Sequence, residues 1–154
     1  LHRRQRQMCI RDRSYSIINI KDSELGDIIK KIKNKKLNGI NVTLPYKQKI
    51  VPYLNLLVND AEITSSVNTI YLNEQNSIIG ENTDVFGLQA AYLKEVDDIS
   101  KKKALIIGAG GVSPSVILSL QKSNIKEIFI TYIYLCLQFI IHSLNRIFTL
   151  FIFN

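Results

Sequence analysis

Four short stretches of this sequence carry side chains that can do chemistry. Asn41-Val-Thr-Leu-Pro-Tyr-Lys47 has the form of a strand that stops at Pro45 and presents Asn41, Thr43 and Lys47 together. That set suits a polyol: Asn and Thr supply neutral donors and acceptors, and lysine supplies a mobile charged donor. On spacing alone, a plain exposed lysine opening a helix is the commoner case. Val67-Asn-Thr69 and Gly80-Glu-Asn-Thr-Asp84 add further amide, hydroxyl and carboxylate groups. Each again has a purely structural reading, Asp84 as a helix-start residue and Asn82 as a turn former. The fourth stretch is Gly108-Ala-Gly-Gly111 followed by Val112. Gly108 and Gly110 permit a tight turn and let backbone N–H groups approach a pyrophosphate, with a helix N-terminus behind them adding partial positive charge. Gly108–Ser113 is GxGGxS rather than GxGxxG, so by itself it also fits a glycine-rich turn that binds nothing.

The elements that must position these residues can be read from periodicity. Tyr15-Ser-Ile-Ile-Asn-Ile20 is a short β-branched run. Asp22 or Ser23 can cap a helix to about Lys36, with Leu25, Ile28, Ile29 and Ile32 on one face. Gly39–Thr43 is a predicted strand, and a broken helical region interrupted by Pro52 follows to about Ile63. Val67–Leu72 and Ser77–Ile79 are predicted to form a hairpin around residues 73–76. Thr83 to about Glu95 is predicted helical, and Val96–Lys102 is a polar linker. Lys103–Ile107 has a buried-strand pattern; Ser113 and Pro114 suit the cap and first position of a helix to about Lys122, and Lys126–Thr131 is the next strand. Strand, glycine turn, helix, strand is one βαβ unit.

The net charge of +7 invites a nucleic-acid reading, and its distribution argues against one. Arg3, Arg4, Arg6, Arg11 and Arg13 face Asp12 alone in the first thirteen residues, and Arg146 is the only charge after Thr131, which leaves roughly +2 for the middle. No basic face with interleaved aromatics is visible there. Cys9 and Cys136 form no CxxC or Cys/His cluster, so neither a disulfide framework nor a zinc site is expected, and the compartment expected is the reducing cytoplasm.

Both ends differ in character from the middle. Residues 1–13 lack any hydrophobic period. They read either as a basic arm for an anionic partner or as non-native sequence, because a coding sequence for Met8–Asp12 can be written that resembles a transposase adapter used in preparing sequencing libraries. The adapter-like reading is the one expected. Residues 132–154 are rich in Ile, Leu, Phe and Tyr, with no Gly or Pro. Frameshifted readthrough is the expectation, against buried native structure or a membrane anchor interrupted by Gln138, His142, Asn145 and Arg146.

In order, NVTxPxK, VNT, GxNTDxxG and a strand leading into GAGG resemble the shikimate dehydrogenase family. Asn68 precedes Asp84 by 16 positions and Asp84 precedes Gly108 by 24, and the resemblance covers about 117 of the 154 residues. The fold it implies is α/β: part of the N-terminal α/β substrate domain over residues 15–97, then over 98–131 the first βαβ unit of a Rossmann-type NADP-binding domain. The reaction it implies is reversible NADPH-dependent reduction of 3-dehydroshikimate to shikimate, in aromatic amino-acid biosynthesis. Lys47 and Asp84 match the family's catalytic pair, Thr43, Asn68 and Asp84 its shikimate-binding residues, and Gly108, Ala109, Gly110, Gly111 and Val112 the loop under the NADP pyrophosphate; no metal is implied. Such chemistry suits these side chains, since reducing a ketone leaves a developing alkoxide that needs a proton and a nearby positive charge, both available from Lys47.

Several family features have no counterpart here. The opening strand with its serine-containing loop should precede Tyr15, and residues 1–13 do not resemble it. Tyr132-Ile-Tyr134 stands where the family has an Asn-Arg-Thr turn that reads the 2′-phosphate, so NADP is expected over NAD from the resemblance alone. The remaining nucleotide-domain strands and the returning C-terminal helix are also missing, and Ser65-Ser66 stands where the family usually has a glycine and a small residue. One βαβ unit cannot cover both faces of a parallel sheet, so the isolated chain is expected to fold poorly or bind cofactor weakly. The leading expectation is therefore a truncated shikimate dehydrogenase acting on a small molecule. The alternatives are a quinate/shikimate enzyme using NAD, and a non-catalytic nucleotide-binding or membrane-tethered fragment. Oligomeric state is left open.

Overall fold

A computed structural model describes residues 14–131 and 149–153. Two sheets organise them, each with its own apolar cluster.

The first unit begins with a 3-10 turn, Asp22–Glu24, running into helix α1, Leu25–Lys33. Leu25, Ile28, Ile29 and Ile32 recur at helical spacing and all four are buried, each contributing about 1.5–3 kcal/mol of apolar burial. Lys30, Lys31 and Lys33 fill the last turn, where cations complement the helix dipole. The β-branched run Tyr15–Ile20 forms no strand; it is an irregular, largely exposed segment with no paired neighbour among the described residues. Strand β1 is Gly39–Asn41, shorter than the sequence reading, and a cis Leu44–Pro45 peptide leads into the short helix α2, Tyr46–Lys49.

Where sequence periodicity predicts only broken helix, the chain forms a 3-10 turn at Val51–Tyr53, strand β2 at Leu56–Val58 and helix α3 at Asp60–Thr64. Three residues are too few to display a period of two. Strand β2 exists because it pairs in parallel with β4, Ile78–Glu81, a partner more than twenty residues away. Strand β3, Thr69–Leu72, and β4 form the expected hairpin. Its turn is closed by the Ser77 N–H donating to Asn73 Oδ1 at 2.8 Å and by Asn76 at φ 57°. The sheet order is β1-β3-β4-β2. Gly80 lies in its middle, where an added Cβ would sit 2.4 Å from Leu54 Cδ1 and force the side chains above β4 to shift.

Helix α4, Asp84–Ala91, is followed by a 3-10 turn at Leu93–Glu95 and another at Ile99–Lys101 within the polar linker. The βαβ unit follows: β5 at Lys103–Ile107, helix α5 at Ser113–Lys122 and β6 at Glu127–Thr131, with β5 and β6 parallel. Alternation in β5 sends Ala104 and Ile106 inward against Val116 and Leu120 of α5. Strand β7, Thr149–Phe153, pairs antiparallel with the other edge of β5, and Ile152 packs on the same cluster. The other tail residues, 132–148 and Asn154, lie outside the described residues, as do residues 1–13, so the adapter expectation and most of the stretch of the readthrough and anchor expectations fall there. On β6, Phe129 and Ile130 are left about half exposed.

Candidate active site

Lys47 sits one residue into α2 with its side chain folded inward, only 8% exposed. Its Nζ donates to Asp84 Oδ2 at 2.6 Å, 37 residues along the chain. The other carboxylate oxygen, Asp84 Oδ1, accepts from Asn68 Nδ2 at 2.8 Å. Both oxygens of Asp84 are thus engaged, one by a cation and one by a neutral amide, and the side chain keeps 30% exposure on the open side. A charge-assisted bond of this length is among the stronger hydrogen bonds available to side chains.

The backbone explains why these three meet. Asn68 lies where three segments converge: its N–H donates to Glu81 O at 3.0 Å and its carbonyl accepts from Val42 N–H at 2.8 Å. One residue earlier, Val67 N–H donates to Lys47 O at 2.9 Å. The ends of β1, β3 and β4 are tied into one rim, and α2 is pinned to it. Asn68 Oδ1 accepts the Thr83 N–H at 3.0 Å, just ahead of α4, so one asparagine aligns both the carboxylate and the start of the helix that carries it.

Thr43 is exposed on the loop between β1 and α2, where its carbonyl accepts from Tyr46 N–H at 2.9 Å. Among the described residues no side-chain hydrogen bond joins it to the Lys47–Asp84 pair. Asn41 spends its amide at this rim, with Nδ2 3.3 Å from Thr69 Oγ1, and Tyr15 OH donates to its Oδ1 at 3.2 Å.

Asn82 is where sequence reasoning misses a functional neighbour. A turn former is expected on the surface; Asn82 is 3% exposed. Its Oδ1 accepts the Asp84 N–H at 3.0 Å, and its Nδ2 donates to Thr64 Oγ1 at 2.9 Å and Ser115 Oγ at 2.8 Å. It therefore links the first unit to α5. Ser119 Oγ shares its one proton between Ser115 O at 2.8 Å and Val85 O at 3.0 Å, and Ser66 Oγ donates to Gly111 O at 3.3 Å, adding two more polar ties across the same seam. The one sequence signal for this seam is the Ser115/Ser119 pair, four apart on an otherwise apolar helix face.

The glycine turn occupies the end of β5. Gly108 has φ 107°, a backbone conformation side chains disfavour, and its carbonyl accepts from Ser113 Oγ at 3.1 Å. Ser113 is the first residue of α5 rather than its cap, a role taken by the Val112 backbone, so Pro114 falls at the second position. A Cβ at Gly110 would meet nothing within 4 Å, whereas one at Gly111 would reach within 3.0 Å of Leu44 Cδ2. The loop is thus open on the Gly110 side and closed against the first unit at Gly111. An open turn at the start of a ten-residue helix fits a pyrophosphate, and Gly108 to Val112 are the residues that would hold one.

A cleft of about 590 Å³ borders this rim, running from Glu81, Asn82 and Thr83 to Asp60, Phe86 and Lys122, and does not include Lys47. Among the described residues no cluster of His, Cys, Asp and Glu could hold a metal ion, and no helix is long and apolar enough to cross a membrane.

The family profile described as the shikimate dehydrogenase substrate binding domain matches residues 1–70. A curated relative from Pelagibacter ubique, named shikimate dehydrogenase (NADP(+)), is 45% identical over 109 residues, covering 71% of this chain and 41% of its own length. The chain belongs to the shikimate dehydrogenase family. It spans less than half the length of this relative. Among solved structures, shikimate dehydrogenase 1 from Peptoclostridium difficile superposes with a TM-score of 0.72 at 32% identity, over 84% of this chain and 49% of that one. Shikimate 5-dehydrogenase from Listeria monocytogenes, in complex with shikimate and NAD, gives 0.66 at 31% identity over 77% of this chain and 41% of its own. The α/β fold is accordingly part of a shikimate dehydrogenase, a portion of the substrate domain joined to the beginning of a Rossmann unit.

Proposed function

We propose that this chain carries the catalytic pair and part of the cofactor loop of an NADP-dependent shikimate dehydrogenase, an oxidoreductase that reversibly reduces 3-dehydroshikimate to shikimate. The observation that carries the reading is the Lys47 Nζ–Asp84 Oδ2 contact of 2.6 Å, with Asn68 on the second carboxylate oxygen. Curated relatives named shikimate dehydrogenase (NADP(+)) support the choice of NADP. A cytoplasmic setting goes with it. When bound at Gly108–Val112, the dinucleotide supplies the hydride.

The chain's own residues account for the proton. Lys47 Nζ is the charged donor beside the position where a substrate oxygen gains negative charge, and it gives that oxygen a proton in the reducing direction and removes one in the oxidising direction. Asp84 keeps the ammonium in place through Oδ2. Asn68, held by three backbone segments, fixes Oδ1, so the carboxylate need not reorganise as charge develops. Thr43 and Asn68 are the proposed hydroxyl-binding residues, together with Asp84.

The test uses a chimera in which residues 15–131 replace the matching segment of the Pelagibacter ubique relative. Shikimate oxidation is followed by NADPH absorbance. Turnover is expected with shikimate and NADP+, and Lys47→Ala or Asp84→Ala is expected to lower kcat by orders of magnitude with the fold intact by circular dichroism. Near-normal turnover in both variants overturns the assigned roles. Preferred use of quinate and NAD by the chimera would favour the quinate-type enzyme instead.

A further inference from the structure

The seam between the two units contains a hydroxyl that the catalytic reading leaves unused. Ser66 is fully buried, two residues before Asn68, and its Oγ donates to the carbonyl of Gly111 at 3.3 Å, 45 residues away. We infer that Ser66 is a positioning residue for the cofactor loop, which by holding the Gly111 carbonyl turns the Val112 N–H outward to a phosphate of the dinucleotide. The inference rests on the proposed function, since it concerns how that cofactor is held.

The argument follows from peptide geometry. The Gly111 carbonyl and the Val112 N–H belong to one planar trans unit, so they point in opposite directions. Fixing the oxygen toward Ser66 fixes the hydrogen away from it. Val112 precedes the first residue of α5, so its N–H has no acceptor one turn back within the helix. The other end of the loop is set in the same way: Ser113 Oγ holds the Gly108 carbonyl at 3.1 Å, which orients the Ala109 N–H of that peptide unit. Between these two clamped units lies Gly110, whose missing Cβ faces open space. The Leu44 side chain closes the Gly111 side, 3.0 Å from where a Cβ would stand, so an inward swing of the loop has to move that side chain.

The two clamps differ in origin. Ser113 is local, five residues from its acceptor, and holds the loop whatever the first unit does. Ser66 belongs to the segment that leads into Asn68, and Asn68 binds Asp84. Loop orientation and the alignment of the catalytic carboxylate are thereby tied through three consecutive residues, Ser66 to Asn68. A misplaced substrate strand would turn the Val112 N–H as well.

The experiment compares the full chain with its Ser66→Ala variant, which deletes one oxygen without adding volume. In the absence of ligand, the Gly111 carbonyl carbon resonance is expected to move upfield in Ser66→Ala, while most amide resonances keep their positions. In titrations followed by fluorescence, NADPH affinity is expected to fall about threefold to tenfold, the ordinary worth of one hydrogen bond, with shikimate affinity unchanged. The Val112 amide resonance is expected to shift on NADPH addition in the unsubstituted chain and to respond less in the variant. An unmoved Gly111 carbon overturns the contact, whatever the cofactor does. A moved carbon with unchanged NADPH affinity overturns the positioning role. Absence of NADPH binding in the unsubstituted chain overturns the role assigned to Ser66, while turnover by the chimera remains the separate test of the proposed function.

Discussion

Replacing Asn82 with alanine tests how firmly the two units are joined. The amide makes three hydrogen bonds in a site that is 3% exposed: it accepts from the Asp84 N–H at 3.0 Å and donates to Thr64 Oγ1 at 2.9 Å and Ser115 Oγ at 2.8 Å. Each such bond contributes about 0.5–1.5 kcal/mol net, and a partner left buried without a substitute costs more. Thr64 keeps its bond to Asp60 O, so the loss falls mainly on the Asp84 N–H and on Ser115. The expected destabilisation is therefore about 2–4 kcal/mol, a large part of the roughly 5–15 kcal/mol that holds a typical domain. Urea unfolding followed by far-ultraviolet circular dichroism measures it. With a slope of about 1–3 kcal/mol per molar, the midpoint should drop by about 1–4 M. Ser115→Ala, which removes one of the three bonds, should cost about 1 kcal/mol. Gln75→Ala, on the exposed hairpin turn, should stay within about 0.5 kcal/mol of the unsubstituted chain. An Asn82→Ala midpoint indistinguishable from that of Gln75→Ala would refute the claim that the amide joins the units.

Other expectations are equally direct. Gly80→Ala places a methyl 2.4 Å from Leu54 Cδ1 and 2.9 Å from Val67 Cγ2, so overpacking should destabilise the chain by about 1–3 kcal/mol in the same urea assay. Asp27 titrates below the ordinary aspartate range because Lys30 Nζ donates to it at 2.8 Å and adds its positive charge. A carboxyl with a lowered value stabilises the fold above the unfolded titration range and loses that contribution as pH falls through the folded one. The pair is fully exposed, so Lys30→Ala should return the Asp27 resonance to ordinary titration by NMR with no measurable change in Tm. For Lys47→Ala and Asp84→Ala in the chimera, loss of kcat should exceed any change in KM, because proton transfer belongs to the transition state.

The sequence by itself determined which residues belong together. Asn41 to Lys47, Val67 to Thr69, Gly80 to Asp84 and Gly108 to Gly111 are legible because each pairs a chemical group with a local backbone signal: a proline stop, a strand end, a helix start, a glycine turn. Helix α1 and strand β5 are legible for the same reason, since periods of 3.6 and 2 are written into consecutive residues. What depends on distant partners was not legible. Strand β2 forms only because β4 lies beside it, and Tyr15–Ile20, with the right composition for a strand, has no strand partner among the described residues. Asn82 reads locally as a turn residue, yet its three acceptors and donors arrive from residues 64, 84 and 115, a convergence only tertiary structure creates. The same holds for Ser66 and Gly111, 45 positions apart. Chemical identity is a property of single residues and short spacings, and so survives in the sequence. Which oxygen faces which nitrogen is set by how α5 and the glycine turn settle against the first unit, and only the folded chain decides it.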